Sequence, residues 1–359
     1  MARPVDDGFS MPPEWAPHAR CWMQWPCREP LFGKHLQAAR DAYAEVAQTI
    51  AEFEPVTMIA SPEHMVEASL KCGPGVSTFP LPLDDSWCRD SGPTFVVNAA
   101  GEVAGIDWKW NAWGNKYPDH QRDAAVARSV LEHLSMRRYA APLVLEGGAI
   151  HVDGEGTLLT TEECLLDPNR NPHLDKGQLE ILLHEYLGVT SVIWLGKGVI
   201  DDETNGHVDN LCCFARPGEV VLTWTDNKRD PQYKVSVDAY ERLMGARDAQ
   251  GRRLKVHKLV QPGPLHRSKA EVRDVDVEEG VQPRVAGERL AGSYVNFYIG
   301  NQAIVMPLLD PKRDKQVARQ LQKIFPERRL IGVQAREILL GGGNIHCITQ
   351  QIPLGKRKR

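Results

Sequence analysis

The sequence predicts an α/β fold, a five-bladed α/β propeller in which strand-rich units, each with a helix, stand around one axis. Three observations carry that expectation. Five amphipathic helical segments are each followed by a short β-branched run. Strand–turn–strand patterns lie between them, and an unpartnered strand pattern stands near each end of the chain. Similar units recurring along a chain mark repeated supersecondary structure.

The helical segments are His35–Phe53, Asp123–Leu134, Leu174–Leu187, Tyr233–Met244 and Lys312–Phe325. Apolar residues recur in each at three- and four-residue spacing, as in Leu179, Leu182, Leu183 and Tyr186, which lines one helix face. The runs that follow begin at Val56, Leu143, Ser191, Leu254 and Leu330. Strand–turn–strand patterns start at Thr94, Ala149, Leu211 and Tyr294, with turn residues at Gly101, Gly154, Gly218 and Gly300–Asn301. A fifth strand begins at Ile345, and its missing partner is sought at Cys21–Trp25, a pairing that would close a ring. The tip glycines 101, 154 and 218 are 53 and 64 residues apart, so the units have diverged and do not form a strict solenoid. Two ordinary α/β domains are the alternative. The Pro-rich stretch 261–266 and the mixed-charge stretch 267–290 read as a long loop, which favours a single domain over residues 1–359.

Composition narrows the function. Of 359 residues, 42% are hydrophobic and 25% charged, a globular balance. Lys and Arg number 43 against 47 Asp and Glu, for a net charge of -4; this gives no whole-surface reason to bind nucleic acid or an acidic membrane. The start, Met-Ala-Arg-Pro-Val-Asp-Asp-Gly, has no apolar signal region, and no apolar run approaches membrane-spanning length. Eight cysteines lie at scattered spacings without a Cys-x-x-Cys, which fits neither a disulfide framework nor a structural zinc site. The expectation is a soluble cytoplasmic protein. A homo-oligomer is compatible with this size, although no interface motif argues for one. The basic end 356–359 reads as a solvated tail.

Unusual residues cluster just before the first strand of several units: Trp87-Cys-Arg-Asp90, Glu146-Gly-Gly, His207-Val-Asp209 and Gly341-Gly-Gly-Asn-Ile-His-Cys347. Rotational repetition carries equivalent positions to one rim, so Asp90 and Cys347 can share a cleft. Singly, each has a bland reading. Cys347 can be a buried strand cysteine behind a Gly-rich turn, and His207 a satisfied core histidine. Asp90 can pair with its neighbour Arg89, and Glu146 can sit in a plain turn. Cys212 and Cys213 read as strand packing, and Trp87, Trp108, Trp110 and Trp113 as core. In an extended segment, His207 and Asp209 would share a face. Together, a thiol, a His and three carboxylates form a nucleophile–base–electrostatic constellation. Carboxylates facing a thiol raise its pKa, which makes sense if the substrate is itself cationic. A planar guanidinium pairs bidentately with carboxylates and fits. Zinc fits less well, because no ligand triplet of the usual spacing appears.

The motifs resemble the agmatine deiminase family, within the wider group of guanidine-modifying enzymes. The resemblance runs from Met11-Pro-Pro-Glu-Trp15 through Trp87-Cys-Arg-Asp-Ser-Gly-Pro, Leu145-Glu-Gly-Gly and Asp202-Glu-Thr-Asn-Gly-His-Val-Asp-Asn to Ser293-Tyr-Val-Asn-Phe-Tyr and Gly341–Gln351. It implies a five-bladed propeller and hydrolysis of agmatine to N-carbamoylputrescine and ammonia without a metal or organic cofactor. By the same resemblance Cys347 is the nucleophile and His207 the acid/base. Asp90 and Asp209 grip the guanidinium, and Glu146 orients His207. Glu203 matches the position that meets the distal amine, and Trp87 the pocket wall. Arginine deimination, amidino transfer and a non-catalytic binding propeller are the competing readings.

Overall fold

One strand topology recurs along the chain: an antiparallel hairpin, then a helix, then a third strand returning parallel to the second. The computed structural model describes residues 2–273, 275 and 283–356. Strands Thr94–Asn98 and Val103–Lys109 pair antiparallel, and Arg137–Val144 returns parallel after helix Val126–His133. The pattern repeats with His151–Val152, Thr157–Thr161, helix Lys176–Leu187 and Ser191–Leu195. It recurs with Cys212–Arg216, Glu219–Trp224, helix Gln232–Gly245 and Lys255–Val260. The next unit is Tyr298–Ile299, Ala303–Leu308, helix Asp314–Ile324 and Arg329–Gln334. The last joins the two ends of the chain. Thr349–Pro353 pairs antiparallel with His18–Gln24, which pairs parallel with Val56–Ala60 beyond helix Leu36–Ala51. The architecture is mixed α/β in several small sheets.

Local sequence explains these elements. Asp175 and Gln178 form a reciprocal capping box at the start of Lys176–Leu187, and left-handed Gly188 ends it. Leu179, Leu183, Tyr186 and Leu187 then form its buried stripe. The fully buried parallel strand Val56–Ala60 shows no polar alternation, as expected for a strand covered on both faces.

Several boundaries depart from the sequence expectation. The strand placed at Ile345 begins only at Thr349, because the backbone N–H groups of His346 and Cys347 turn toward Asn296 Oδ1, at 3.0 and 3.4 Å. Residues 294–297 and 149–150 likewise lie outside the strands that begin at Tyr298 and His151. Helix Met65–Cys72 and strand Val76–Pro80, which were not anticipated, extend the last sheet. Within 267–290, Arg289–Leu290 pairs with Leu265–His266; residues 274 and 276–282 lie outside the described residues, as do 357–359 of the basic tail. All eight cysteines are free, and Cys212 and Cys213 pack in a strand.

The junction between the last two units is held by a buried carboxylate. Glu54 accepts hydrogen bonds from Tyr298 OH at 2.6 Å and the Asn301 N–H at 2.8 Å, and meets His18 Nδ1 at 3.0 Å. Replacing it with a hydrocarbon leaves those groups buried and unsatisfied. Glu54→Leu is therefore expected to cost about 3 kcal/mol or more, read as a lowered urea midpoint. A midpoint within error of wild type contradicts this account of the junction.

Candidate active site

Each of the five repeated units contributes a polar residue from the segment just before its first hairpin strand. Asp90 lies on the single-turn helix Cys88–Ser91, Glu146 precedes the 3-10 turn Gly147–Ala149, and Asp209 lies on Val208–Leu211 with His207 capping it. Asn296 and Cys347 precede Tyr298 and Thr349. These one-turn devices correct one expectation. His207 and Asp209 are not on an extended strand, and they converge because a helical turn follows His207.

The residues meet around Cys347, which is 2% exposed. Its Sγ lies 3.4 Å from Asp209 Oδ2 and 3.2 Å from Asn296 Nδ2. His207 stands between carboxylates, with Nδ1 at 3.8 Å from Asp90 Oδ1 and Nε2 at 3.7 Å from Glu146 Oε2. Those separations exceed a hydrogen bond, and neither ring nitrogen has a partner among the described residues. Asp209 Oδ1 is likewise buried and unpartnered. Asp90 is fixed by Trp113 Nε1 and by the Gly148 N–H, each donating at 2.9 Å. It does not pair with Arg89, which instead reaches Glu14 Oε1 at 3.2 Å.

Glu146 is gripped through both oxygens by Arg170 Nε at 3.0 Å. Burial opposes its ionisation, but the Arg170 charge and His207 prevail and bring its pKa down to about 2. Burial also opposes charge on His207; Asp90 outweighs it and raises the imidazole well above its ordinary value. The Cys347 thiol moves the other way from reactivity. Burial first, then Asp209 and Asp90, push it well above a normal thiol. An empty site therefore holds a protonated thiol at neutral pH.

Above Cys347 opens a cleft lined by Trp87, Asp90, Trp113, Glu203, Arg284 and the Gly341–Gly343 loop. Trp87 and Trp113 are thus pocket walls as well as core residues, whereas Trp108 packs in a core cluster. Glu203 is at the far end and already paired. Arg284 donates to its two oxygens at 2.6 and 2.7 Å, and Arg267 adds a contact at 3.1 Å. Lys116 donates to the Glu203 backbone carbonyl.

The fold also assembles a ligand triplet that spacing did not reveal. Ligand atoms of Glu146, Cys164 and His207 lie within 4.8 Å of one another. The Arg170 guanidinium on both Glu146 oxygens opposes a cation there. Sequence reasoning missed Arg170, Cys164, Asn296 and Arg284, and named Trp113 without its bond to Asp90. Asn296 had a usable signal, since it occupies in the fourth unit the position that Asp90, Glu146 and Cys347 occupy in theirs.

Gly148 shows how tightly the groups close in. A Cβ at that position would stand 2.6 Å from His207 Nδ1, 2.9 Å from Asp209 Oδ2 and 3.0 Å from Asp90 Oδ1. Gly148→Ala is expected to lower kcat/KM by more than a hundredfold through displacement of His207, while the circular dichroism spectrum stays that of wild type. Activity within threefold of wild type contradicts the packing described.

Comparison with known proteins follows the same lines. A provisionally named agmatine deiminase of Pectobacterium atrosepticum is 55% identical, covering 99% of this chain and 98% of its own. One from Yersinia pestis is 54% identical over 98% of this chain and 97% of its own. The solved agmatine deiminase of Enterococcus faecalis superposes with a TM-score of 0.96 at 39% identity, covering 99% and 98% of the two chains. A substrate-bound agmatine deiminase of C. jejuni gives 0.85 at 29% identity over 97% of each. The profile of the Porphyromonas-type peptidyl-arginine deiminases matches residues 10–353, and the chain belongs to that family.

Proposed function

We propose that this protein is an agmatine deiminase, hydrolysing agmatine to N-carbamoylputrescine and ammonia with Cys347 as nucleophile. The observation that carries the reading is a buried thiol facing Asp90 and Asp209, two carboxylates without an Arg or Lys partner among the described residues. Among the described residues only histidines share these carboxylates, and a guanidinium supplies the further charge in the flat, multi-donor form that carboxylates bind. The names of the relatives support the same substrate class. The pairing of Thr349–Pro353 with His18–Gln24 supports closure of the five units as a propeller. A cytoplasmic, cofactor-independent enzyme on the route to putrescine accords with this reading.

The chemistry follows from the arrangement. Asp90 and Asp209 accept guanidinium N–H bonds, hold the central carbon near Sγ and draw positive charge away from it. The bound cation offsets the carboxylates, so the Cys347 thiol gives up its proton to solvent and the thiolate adds to the carbon. His207, kept protonated by Asp90 and Glu146, donates to the departing nitrogen. The C–N bond breaks, ammonia leaves and a thiouronium remains. Now neutral, His207 takes a proton from water as its oxygen attacks; collapse breaks the C–S bond, the hydroxyl proton passes to the departing sulfur, and the ureido product is released with the Cys347 thiol restored.

Thiol reactivity tests this scheme directly. Cys347→Ala and Cys347→Ser are expected to lose at least a thousandfold in kcat while remaining folded. Because the free thiol is protonated at neutral pH, neutral iodoacetamide should label Cys347 slowly, at a rate that climbs into the alkaline range. A cationic haloacetamidine should label it faster at pH 7, because its charge replaces that of the substrate. Equal rates for both reagents, or labelling at Cys88 or Cys213 with Cys347→Ala still active, contradict the scheme.

Substrate choice is set away from the reacting carbon, since agmatine and arginine share the guanidinium. We assign the distal ammonium to the Glu203 end of the cleft, where a carboxylate attracts an amine and repels an α-carboxylate. The amine then shares Glu203 with Arg284 or displaces it. Glu203→Gln should raise KM for agmatine and narrow its preference over arginine. An unchanged ratio of the two kcat/KM values removes Glu203 from that role.

A further inference from the structure

Beneath the Cys347 cleft lies a second buried polar chain, for which the scheme above has no use. His346 meets Asp209 Oδ2 through Nδ1 at 2.9 Å and Glu14 Oε1 through Nε2 at 2.8 Å. Glu14 in turn meets Arg89 Nη1 at 3.2 Å and His151 Nε2 at 3.4 Å. All of these side chains are buried, from Glu14 at 3% to His346 at 3% and Asp209 at 2% exposure. They come from five separate stretches of chain, and the backbone of His346 is pinned by its N–H donating to Asn296 Oδ1 at 3.0 Å.

Both ring nitrogens of His346 face carboxylates. A neutral imidazole has one donor and one acceptor, so one of the two contacts would set lone pair against lone pair. Burial opposes ionisation of Asp209, but His346 and His207 hold its carboxyl below the ordinary value, and between ionised carboxylates only imidazolium satisfies both contacts. Glu14 cannot relieve this by taking the proton, since Arg89 and His151 already require it as an acceptor. The groups facing His346 are thus Glu14 and Asp209, which favour its charge, and Arg89, His151 and the Cys347 thiol around them. Burial and Arg89 oppose the charge, Glu14 and Asp209 outweigh them, and its pKa lies above the ordinary value.

The consequence falls on Asp209, whose two oxygens have different fates. Oδ2 is tied to His346 and touches Cys347 Sγ, while Oδ1 is buried and unpartnered. We propose that His346, held between Glu14 and Asp209, is a positioning residue for the reaction: it fixes Oδ2 so that Oδ1 is presented to a substrate N–H, and its charge lets a thiolate form beside Asp209. The inference rests on the deiminase reading for the word substrate, but its electrostatic half concerns the free enzyme alone.

Three measurements test it. The ¹⁵N shifts of His346 in the wild-type protein should report imidazolium at pH 7; neutral His346 overturns the proposal. The rate of iodoacetamide labelling of Cys347 against pH needs no substrate. In His346→Asn, whose amide can still donate to Asp209 but carries no charge, that profile should move up by at least one pH unit. With agmatine, His346→Asn should lose more than tenfold in kcat with KM changed less than threefold, whereas His346→Ala, which frees Asp209 to turn, should also raise KM. A labelling profile that superposes on wild type in a folded His346→Asn leaves His346 a packing residue and overturns the idea. If the variants do not fold, the wild-type titration decides. No turnover of agmatine by wild type, alongside the predicted labelling shift, would count against the substrate and not against His346.

Discussion

Pairing of Thr349–Pro353 with His18–Gln24 is the constraint on which the rest of this molecule depends. It is the contact that brings the last unit's Cys347 segment back to the first. Cys347 stands two residues before the paired strand, and its carbonyl accepts the Arg89 N–H at 3.1 Å. Asp90 follows directly, so a register shift of one residue in that ladder would turn its side chains to the opposite face and drag the thiol off the carboxylates. Loop closure over more than 300 residues is costly, and a continuous apolar cluster running from Cys21 and Tyr43 to Ile345 and Ile348 offsets it.

Within that frame, the site is an exercise in leaving some buried charges matched and others unmatched. Glu146 has Arg170, Glu14 has Arg89, and Asp209 has His346 on one oxygen. Asp90 has only a tryptophan N–H, a backbone N–H and a distant imidazole. Burying an unmatched carboxylate is expensive, and its pKa is accordingly raised, by burial first and then by the nearby Asp209. The molecule tolerates this where an incoming cation relieves it. Burial, together with the same carboxylates, pushes the Cys347 thiol above its ordinary value.

Glycine does steric work at three points of this arrangement. Gly148 leaves room for His207, Asp90 and Asp209 to converge, and Gly343 lets Trp87 lie within 2.4 Å of where a Cβ would be. Gly342 adopts a φ of 109°, a backbone conformation that L side chains rarely take. Aromatic packing and backbone geometry thus account for the triple glycine before Cys347.

By itself the sequence determined the periodic elements and pointed to the residues that gather around the buried thiol. Hydrophobic spacing placed the helix of each of the five repeated units to within a few residues, because periodicity is a local property of the chain. Motifs before the hairpins singled out Asp90, Glu146, His207, Asp209 and Cys347, since unusual residues at equivalent repeat positions are visible without coordinates. Tertiary structure alone decided who partners whom. It set Arg170 on Glu146, Arg89 on Glu14 instead of its neighbour Asp90, and Arg284 on Glu203. It also decided that His207 and Asp209 meet through a helical turn, and that His346 bridges carboxylates from two distant stretches of the chain, Glu14 and Asp209. These are contacts between groups up to 332 residues apart, and electrostatic pairing depends on distances of a few ångströms that no linear spacing encodes.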